Sequence, residues 1–485
     1  MSENLNICLI NDSFPPEIDG VANAVTNYAD IITRAHGRAT VVTPDNPEAN
    51  DGVFAFPVLR YPSVDLTKLV GYYAGFPFSP DVQKSLVAEK FDLIHSHCPI
   101  TSTMLARSLR DRINVPVVMT YHTKFDIDIA NAVSSKLLQE EAKKILVENI
   151  SACDEIWTVS RGAGENLCSL GYEGDYIVMP NGVDFPRGRV DESLIEEVTA
   201  GFDLPEGVPV FLFVGRMMWY KGIRIILDAL KGLRESGQVF RMVFVGGGGD
   251  KKEIVAYCEE LGLSDLVFFA EPIHDRNRIR AWYCRADLFL FPSTFDTNGL
   301  VVREAAACAL ASVLIAGSCA AEDVEDGMSG FLIEENAESM AAKLLELCRN
   351  PEAVKAVGEG ALRDLYISWE EAVANACRRY EAVIENYRAG KYAKHTSLTD
   401  DLIHSIAKSM DGYNRSREFQ KATMQALTDS YRRLYDQLMP EGQKRLTNQQ
   451  DPQSRDDGPE AKEELYTAAL MNKFDEMTRF LDRFM

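Results

Sequence analysis

The segment Phe295–Ala305 places two carboxylates on either side of a glycine turn. Asp296 precedes the turn and Glu304 follows it on a predicted helix, so both side chains can face one crevice. The backbone N–H groups of Gly299 and Leu300 would mark the start of that helix, where the partial positive charge attracts anions. Carboxylates bind sugar hydroxyls and amides bind phosphate, so the pattern suits a sugar nucleotide. A capped helix with a solvated acidic face is the alternative.

Two cations follow a predicted buried strand in the same half of the chain. The strand covers Val210–Val214, and Arg216 and Lys221 come soon after it. Paired cations at a strand exit can neutralise a diphosphate leaving group, whose negative charge grows as a glycosidic bond breaks. A solvated basic turn is the alternative, and the carboxylates in the same half of the chain weigh against it.

Two further positions in the first half could contribute to a sugar site. Gly20 lies where a loop after the first predicted strand opens a helix, so a ligand could approach its backbone, although a structural turn explains it equally well. His122 ends another predicted strand and could orient a hydroxyl or share a proton. A structural hydrogen-bonding role is the alternative for this histidine.

We expect no metal site. His95 and His97 end a predicted strand, and we expect them to point to opposite faces of the sheet, which argues against a two-histidine ligand set. The tripeptide Asp126–Asp128 has the form of a metal motif of another class of transferases, but such tripeptides are common by chance. The ten cysteines include no Cys-x-x-Cys, which favours a reduced, cytoplasmic setting over a disulfide framework.

Composition narrows the range of partners. The 485 residues include 73 acidic and 51 basic side chains, and a net charge of −22 disfavours nucleic acid. Anionic membranes would be repelled on average, although a local patch could still make peripheral contact. The polar start Met1–Asn6 predicts no secretory signal, and the longest apolar run, Ala305–Ala316, is shorter than the roughly 20 residues that cross a bilayer. We therefore expect a cytoplasmic protein.

Short apolar runs alternate with helical patterns twice along the chain, which predicts an α/β protein. We expect two Rossmann-like, doubly wound domains that face each other across a cleft, with ligands beyond the carboxyl ends of the strands. The predicted strands are Ile7–Ile10, Thr40–Thr43, Leu93–His95, Val117–Thr120, Glu155–Val159, Tyr176–Met179, Val210–Val214, Arg241–Val245, Val267–Phe269, Leu288–Phe291 and Ser312–Ile315.

The predicted domains are residues 1–200 and residues 201–366. A long amphipathic helix is predicted over residues 367–390. Residues 391–485 predict a helical extension, with a flexible spacer near residues 441–457. Its amphipathic stripes predict packing on the protein's own surface or on a second copy, which would give a homo-oligomer.

Several segments occur in an order and spacing that resemble the two-domain (GT-B) retaining glycosyltransferases of family 4. The similarity runs from about residue 5 to residue 388 and covers both halves of the chain. The segments are Pro15–Gly20, Phe91–His97, Thr120–Thr123, Thr158–Ser160, Pro180–Asp184, Val214–Arg216, Lys221–Gly222 and Asp296–Glu304.

The resemblance implies that residues 1–200 lie on the acceptor side, that residues 201–366 bind the nucleotide sugar, and that the helix over residues 367–390 crosses back to the first domain. It also implies a role for each candidate residue. Arg216 and Lys221 would hold the donor's phosphates, and Glu304 would bind the ribose hydroxyls. Asp296 would contact the transferred sugar. Backbone groups of Gly299 and Leu300 would complete the donor site, and His122 with Gly20 would line the cleft beside the donor sugar.

The resemblance also implies a retaining, metal-independent reaction in which the leaving phosphate assists attack from the same face. The nucleotide sugar, most often a UDP-sugar, is then a co-substrate, and no cofactor is needed. The acceptor could be a membrane lipid, a glycan or a small molecule. A non-catalytic partner or scaffold assembled through the C-terminal helices is the main alternative, and a sugar-nucleotide epimerase is a third.

Two departures from the family pattern bear on these alternatives. Asp296 stands where the family usually has glutamate, and a side chain shorter by one methylene must shift its loop or reach the sugar differently. Ser318–Glu322 stands where a glycine pair usually precedes the downstream acid. Both changes leave the identity of the transferred sugar open.

Overall fold

A computed structural model describes residues 5–392, except Ile18, residues 66–72, 127–128 and 130–134, and Asn298. Nearly all of the predicted C-terminal extension, including the spacer near residues 441–457, lies outside these residues. The chain divides into two compact units. The first comprises the described residues within Met1–Trp157, Leu167–Asp175 and the stretch from Arg378 onward, and the second comprises Thr158–Asn166 and Tyr176–Cys377.

The first unit is built on a parallel sheet flanked by helices. Its strands are β1 (Leu5–Ile10), β2 (Gly37–Pro44), β3 (Val58–Tyr61), β4 (Ser63–Asp65), β5 (Tyr73–Gly75), β6 (Leu93–Ser96), β7 (Val117–Tyr121) and β8 (Glu155–Thr158). Its helices are α1 (Gly20–Ala35), α2 (Pro80–Ala88), α3 (Thr101–Ile113) and α4 (Lys136–Ser151), and α5 (Arg161–Ser169) begins in the second unit and ends in the first.

The strands of this sheet run in the order β3-β2-β1-β6-β7-β8, and β4 and β5 form a separate antiparallel pair. The central strands β6 and β7 are buried at every position. Their continuous apolar runs fit a sheet covered on both faces. The order reverses beside β1, so the loops after β1, β6 and β7 meet at the edge where ligands of such sheets bind.

The second unit contains a second parallel sheet. After the short strand β9 (Ile177–Val178), its strands are β10 (Val210–Val214), β11 (Arg241–Val245), β12 (Val267–Ala270), β13 (Leu288–Phe291), β14 (Ser312–Ile315) and β15 (Phe331–Ile333), in the order β12-β11-β10-β13-β14-β15. Its helices are α6 (Glu192–Thr199), α7 (Ile223–Glu235), α8 (Lys251–Glu260), α9 (Arg276–Arg285), α10 (Leu300–Ala307), α11 (Ala337–Cys348), α12 (Pro351–Asp364) and the first part of α13 (Trp369–Arg388).

All predicted strands are present, and the α/β class with two doubly wound parallel sheets is confirmed. The sequence did not predict β3, the β4–β5 pair or β15, each only three or four residues long. The helix α13 covers Trp369–Arg388, within the long helix predicted over residues 367–390. The domain boundaries and the return of this helix to the first domain remain predictions. None of the described helices combines the length and the apolarity that crossing a bilayer requires.

Candidate functional site

The carboxyl ends of β10 and β13 bring Lys221 and Asp296 into direct contact. These two strands pair in the sheet, so the loops that follow them are neighbours. Lys221 ends a short 3₁₀ turn, is only 8% exposed, and lies with Nζ 2.7 Å from both carboxylate oxygens of Asp296. Ser293 donates a further hydrogen bond to Asp296 Oδ2 at 2.7 Å. The carboxylate is therefore fixed in orientation.

Aromatic rings surround this ion pair. Lys221 Nζ lies 5.7 Å from the ring centroids of Phe291 and Phe295 and 5.8 Å from that of Tyr220. The rings of Tyr220 and Phe295 are themselves 4.4 Å apart. Ring faces attract a cation, so the three rings add to the stabilisation that Asp296 gives the ammonium group. A phosphate that reached this site would compete with Asp296 for the ammonium group.

Glu304 lies on the first turns of α10 and is held by two donors from α9. Its Oε1 accepts from Arg276 Nη2 at 2.5 Å, and its Oε2 accepts from the Tyr283 hydroxyl at 2.9 Å. Burial, together with the charge of Glu304, raises the pKa of Tyr283 well above its usual value, so the hydroxyl remains a donor. The Arg276 guanidinium also lies over the Phe185 ring at 4.5 Å. Each carboxylate oxygen keeps a lone pair that can accept from a vicinal diol.

Gly299 and Leu300 form the start of α10. Gly299 adopts a left-handed conformation with φ +56°, and a Cβ at this position would lie 2.9 Å from the Ala320 Cα. Glycine is therefore required here. Leu300 is the first helical residue, so its N–H is one of the groups that an α-helix leaves without an intrahelical acceptor.

Arg216 follows Gly215 at the carboxyl end of β10 and is exposed. Its side chain has no hydrogen-bond or ion-pair partner among the described residues, so it can accept an anion without breaking a contact. The predicted residues of the second unit thus form two clusters. Lys221 and Asp296 bind each other, while Glu304 is bound to Arg276 and Tyr283.

In the first unit, His122 follows β7 and is bonded to a second histidine. His122 Nε2 lies 3.0 Å from His97 Nδ1, and the two rings stack with centroids 5.3 Å apart. His97 Nε2 is buried and has no hydrogen-bond partner within the described part of the chain. Burial lowers the pKa of His122 to about 3 and that of His97 well below its usual value. Both imidazoles are therefore neutral near pH 7.

The prediction that His95 and His97 point to opposite faces is wrong. Residues two apart on a strand share a face, and the two rings lie with centroids only 3.9 Å apart. His95 Nδ1 lies 2.6 Å from the Tyr380 hydroxyl, and its Nε2 lies 2.7 Å from Thr120 Oγ1. Both nitrogens of His95 are therefore used by the protein itself.

Gly20 is the first residue of α1 and is exposed, with no atom near the position of a side chain. Asp19 caps this helix, and its Oδ1 accepts from the N–H groups of Val21 and Ala22 at 2.7 Å. Gly20 therefore offers open backbone, but the first amides of α1 are already occupied.

Sequence reasoning missed Arg276, Tyr283 and the role of His97. Arg276 and Tyr283 lie on a helix whose charges read as an ordinary solvated face, and no motif links them to Glu304. His97 carried a usable signal, since it ends the strand next to the one that precedes His122.

Comparisons with known proteins place both halves of the chain among glycosyltransferases. Residues 18–187 match the family model described as Glycosyltransferase Family 4, and residues 195–364 match the model described as Glycosyl transferases group 1. The first matched region contains the strands of the first large sheet except β1, and the second contains all of β10–β15.

The chain is also similar to proteins named as glycosyltransferases and glycolipid synthases, and it shares its fold with solved structures. The chain is 28% identical to a D-inositol 3-phosphate glycosyltransferase of Xylanimonas cellulosilytica, over 59% of this chain and 70% of the relative. It is 21% identical to the alpha-monoglucosyldiacylglycerol synthase of Streptococcus pneumoniae, over 72% of this chain and 79% of the relative. Sucrose-phosphate synthase of Thermosynechococcus elongatus superposes with a TM-score of 0.62 at 19% identity, covering 79% of this chain and 100% of that one. Anabaena HepE in complex with UDP and glucose gives 0.60 at 17% identity, covering 78% and 100%.

Proposed function

The chain belongs to the GT-B glycosyltransferases of family 4, and from that premise we propose that it transfers a hexose from a UDP-sugar to an acceptor hydroxyl with retention of anomeric configuration. The observation that carries the proposal is the ion pair of Lys221 and Asp296 at the carboxyl edge of the second sheet. Lys221 is a cation that could bind phosphate, and Asp296 beside it could accept hydrogen bonds from sugar hydroxyls. The bond that breaks in a nucleotide sugar joins the phosphate to the sugar.

The leaving group would bind the cations. Lys221 is buried and held in one orientation, while Arg216 is exposed and free to turn towards an oxyanion. Positive groups fixed where negative charge grows lower the barrier, and removing one typically costs about 100-fold or more in rate. The N–H of Leu300 would add a backbone donor, with Gly299 allowing close approach. No metal ion is required for this neutralisation.

The nucleoside would bind at Glu304. Arg276 and Tyr283 hold its carboxylate so that the remaining lone pairs can accept both ribose hydroxyls. Because the carboxylate is fixed before the donor arrives, binding loses little side-chain entropy.

The transferred sugar would bind Asp296 and His122. Asp296 is oriented by Lys221 and Ser293 and would accept from sugar hydroxyls. His122 is neutral near pH 7, so it would act as a hydrogen-bonding group beside the sugar rather than as a cation. Gly20 would leave room for the sugar next to the start of α1. Retention would follow from attack on the face that the leaving phosphate occupies, with that phosphate taking the acceptor's proton.

The acceptor would be a glycolipid precursor or a glycan. One relative is named for an inositol phosphate and the other for a glucosyldiacylglycerol, so an alcohol on a phosphorylated or lipid-borne substrate fits both names. We place the reaction in the cytoplasm, with peripheral contact to the membrane if the acceptor is a lipid. Assembly into a homo-oligomer through the C-terminal extension is a further part of the proposal.

A panel of UDP- and GDP-sugars, incubated with the protein and candidate acceptors and analysed by mass spectrometry, tests the proposal. We expect transfer from a UDP-sugar, loss of transfer in Glu304→Ala, and normal transfer in the matched control Glu235→Ala, whose side chain is exposed on α7. Calorimetry with UDP and GDP is the second test. If neither nucleotide binds, the proposal is contradicted and a non-catalytic scaffold is favoured.

A further inference from the structure

His97 is enclosed by three other rings of the first unit. It directly follows β6 and is only 2% exposed. Its ring centroid lies 3.9 Å from that of His95, 5.4 Å from that of Tyr28 and 5.3 Å from that of His122. The His95 ring is itself held by hydrogen bonds at both nitrogens. Packing therefore fixes the orientation of the His97 ring.

One hydrogen bond joins His97 to His122. It runs between His97 Nδ1 and His122 Nε2 over 3.0 Å. Both rings are neutral near pH 7, because burial lowers the pKa of each. A neutral imidazole has one N–H and one lone pair, so one ring donates and the other accepts. The bond occupies His122 Nε2 and leaves Nδ1, which has no partner among the described residues, for a ligand.

The second nitrogen of His97 indicates which ring donates. His97 Nε2 is buried and has no partner in the part of the chain that the structure describes. If His122 donated, the proton of His97 would be on Nε2, and an N–H group would be buried without an acceptor. If His97 donates, only a lone pair is buried there. Buried N–H groups without an acceptor are the rarer of the two in proteins, so the burial of Nε2 favours donation from His97 Nδ1.

We propose that His97 is a positioning residue for sugar transfer: it donates to His122 Nε2 and so holds the His122 ring with its proton on Nδ1, from which His122 donates to an oxygen of the transferred sugar. An N–H group cannot accept from a hydroxyl, so His122 would bind a lone pair of a sugar oxygen and orient the sugar by it. This role rests on the proposed function of His122 beside the donor sugar.

The position of the proton is tested without any substrate. The full chain is labelled with ¹⁵N-histidine, and its ring nitrogens are observed by solid-state NMR at about pH 7. We expect a protonated Nδ1 and an unprotonated Nε2 for His122, with its signals assigned by their loss in His122→Asn. His97→Leu, which removes the donor, should give a mixture of both forms of His122. A His122 proton on Nε2 in the unsubstituted chain would overturn the proposal.

Kinetics separate positioning from a merely structural role. We expect kcat to fall about tenfold in His97→Leu, as for the loss of one hydrogen bond, with unchanged affinity for UDP in calorimetry, because UDP lacks the transferred sugar. His97→Asn should keep most of the activity, since its amide can donate from near the position of Nδ1. His36→Asn, at the end of α1, is the control and should transfer normally. Equal losses in His97→Leu and His97→Asn, or weaker UDP binding in both, would refute positioning.

A double variant tests whether His97 acts through His122. His97→Leu combined with His122→Asn should be no slower than His122→Asn alone, because the group to be positioned is already absent. Two losses that multiply would contradict the proposal. If the unsubstituted chain transferred no sugar from any donor, the proposed function would fail, while the NMR measurement would still decide whether His97 donates to His122.

Discussion

Asp296 binds Lys221 through both carboxylate oxygens, each 2.7 Å from Nζ. The family pattern has a longer glutamate at this position, and the shorter aspartate here meets the lysine directly. The pair is enclosed by three aromatic rings, so each charge depends on the other for its stabilisation. In the proposed donor complex, a sugar hydroxyl and a phosphate oxygen would therefore bind groups that already satisfy each other.

Asp296→Asn should lower transfer strongly. The substitution keeps the shape of the side chain and removes the charge that orients Lys221 and accepts sugar hydroxyls. We expect kcat to fall about 100-fold while UDP affinity changes little, because UDP lacks the transferred sugar. Steady-state kinetics and calorimetry make the two measurements. Asp296→Glu, which restores the family's residue, should keep more activity than Asp296→Asn, and equal loss in both would argue against a role for the charge.

Lys221→Met should cost both affinity and stability. The carboxylate of Asp296 would lose its cation in a site of low polarity, at a cost of about 1–3 kcal/mol in the free energy of unfolding. Urea denaturation measures this. The double variant with Asp296→Asn should recover most of the stability and none of the transfer. Lys343→Met removes an exposed ion pair with Glu346 and should cost less than about 1 kcal/mol.

Tyr283→Phe should weaken donor binding with little effect on the chemical step. The phenol donates to Glu304 Oε2, and without it the carboxylate is fixed only by Arg276. We expect KM for the donor to rise about tenfold with kcat nearly unchanged. The matched control is Tyr257→Phe, which removes a hydroxyl bonded to Asp228 on α7. A fall in kcat alone would show that Tyr283 does not act through ground-state binding.

Acid should destabilise the first unit through its buried histidines. Burial lowers the pKa of His95, His97 and His122, the last to about 3, below the value of about 6.5 for an unfolded histidine. The unfolded chain therefore binds protons that the folded chain does not. Each histidine contributes stability that is complete above about pH 6.5 and is lost as the pH falls below that value, by about 1.4 kcal/mol per pH unit. For His122 this loss continues down to about pH 3.

Urea denaturation between about pH 7 and about pH 5 measures this loss. His122→Asn should flatten the pH dependence, whereas His274→Asn, at an exposed position, should leave it unchanged. The transfer rate itself should show no titration of His122 over the same range. If the transfer rate of the unsubstituted chain depended steeply on pH and that of His122→Asn did not, the neutral role proposed for this imidazole would be refuted.

The local pattern of the chain was sufficient to predict most strands of the two large sheets, whereas the roles of the site residues remain predictions. Runs such as Val210–Val214 are apolar at every position, as buried parallel strands require, and their exit loops carry Lys221 and Asp296. The contact between those two residues follows from strand order, because β10 and β13 are neighbours despite their separation in sequence. The spatial order of the strands could not be predicted from the periodicity of the sequence.

The partners of Glu304 and His122 could not be predicted in the same way. Arg276 reaches Glu304 from another helix, and such contacts depend on how helices pack rather than on any local signal. His97 was visible in the sequence, but its orientation was misjudged, and only the coordinates show that it bonds to His122. Hydrogen bonds between distant elements are fixed by tertiary geometry.

Gly222 has a consequence for anyone who diversifies this protein. It follows Lys221 with φ +76°, and a Cβ there would lie 1.9 Å from the Pro292 carbonyl oxygen, on the loop that leads to Asp296. Most substitutions at position 222 in a mutational library would therefore distort this turn. Recombination that exchanges one of these two loops without the other would create the same steric conflict. Productive diversity should instead be sought at exposed positions outside the proposed site, such as Glu235 on α7.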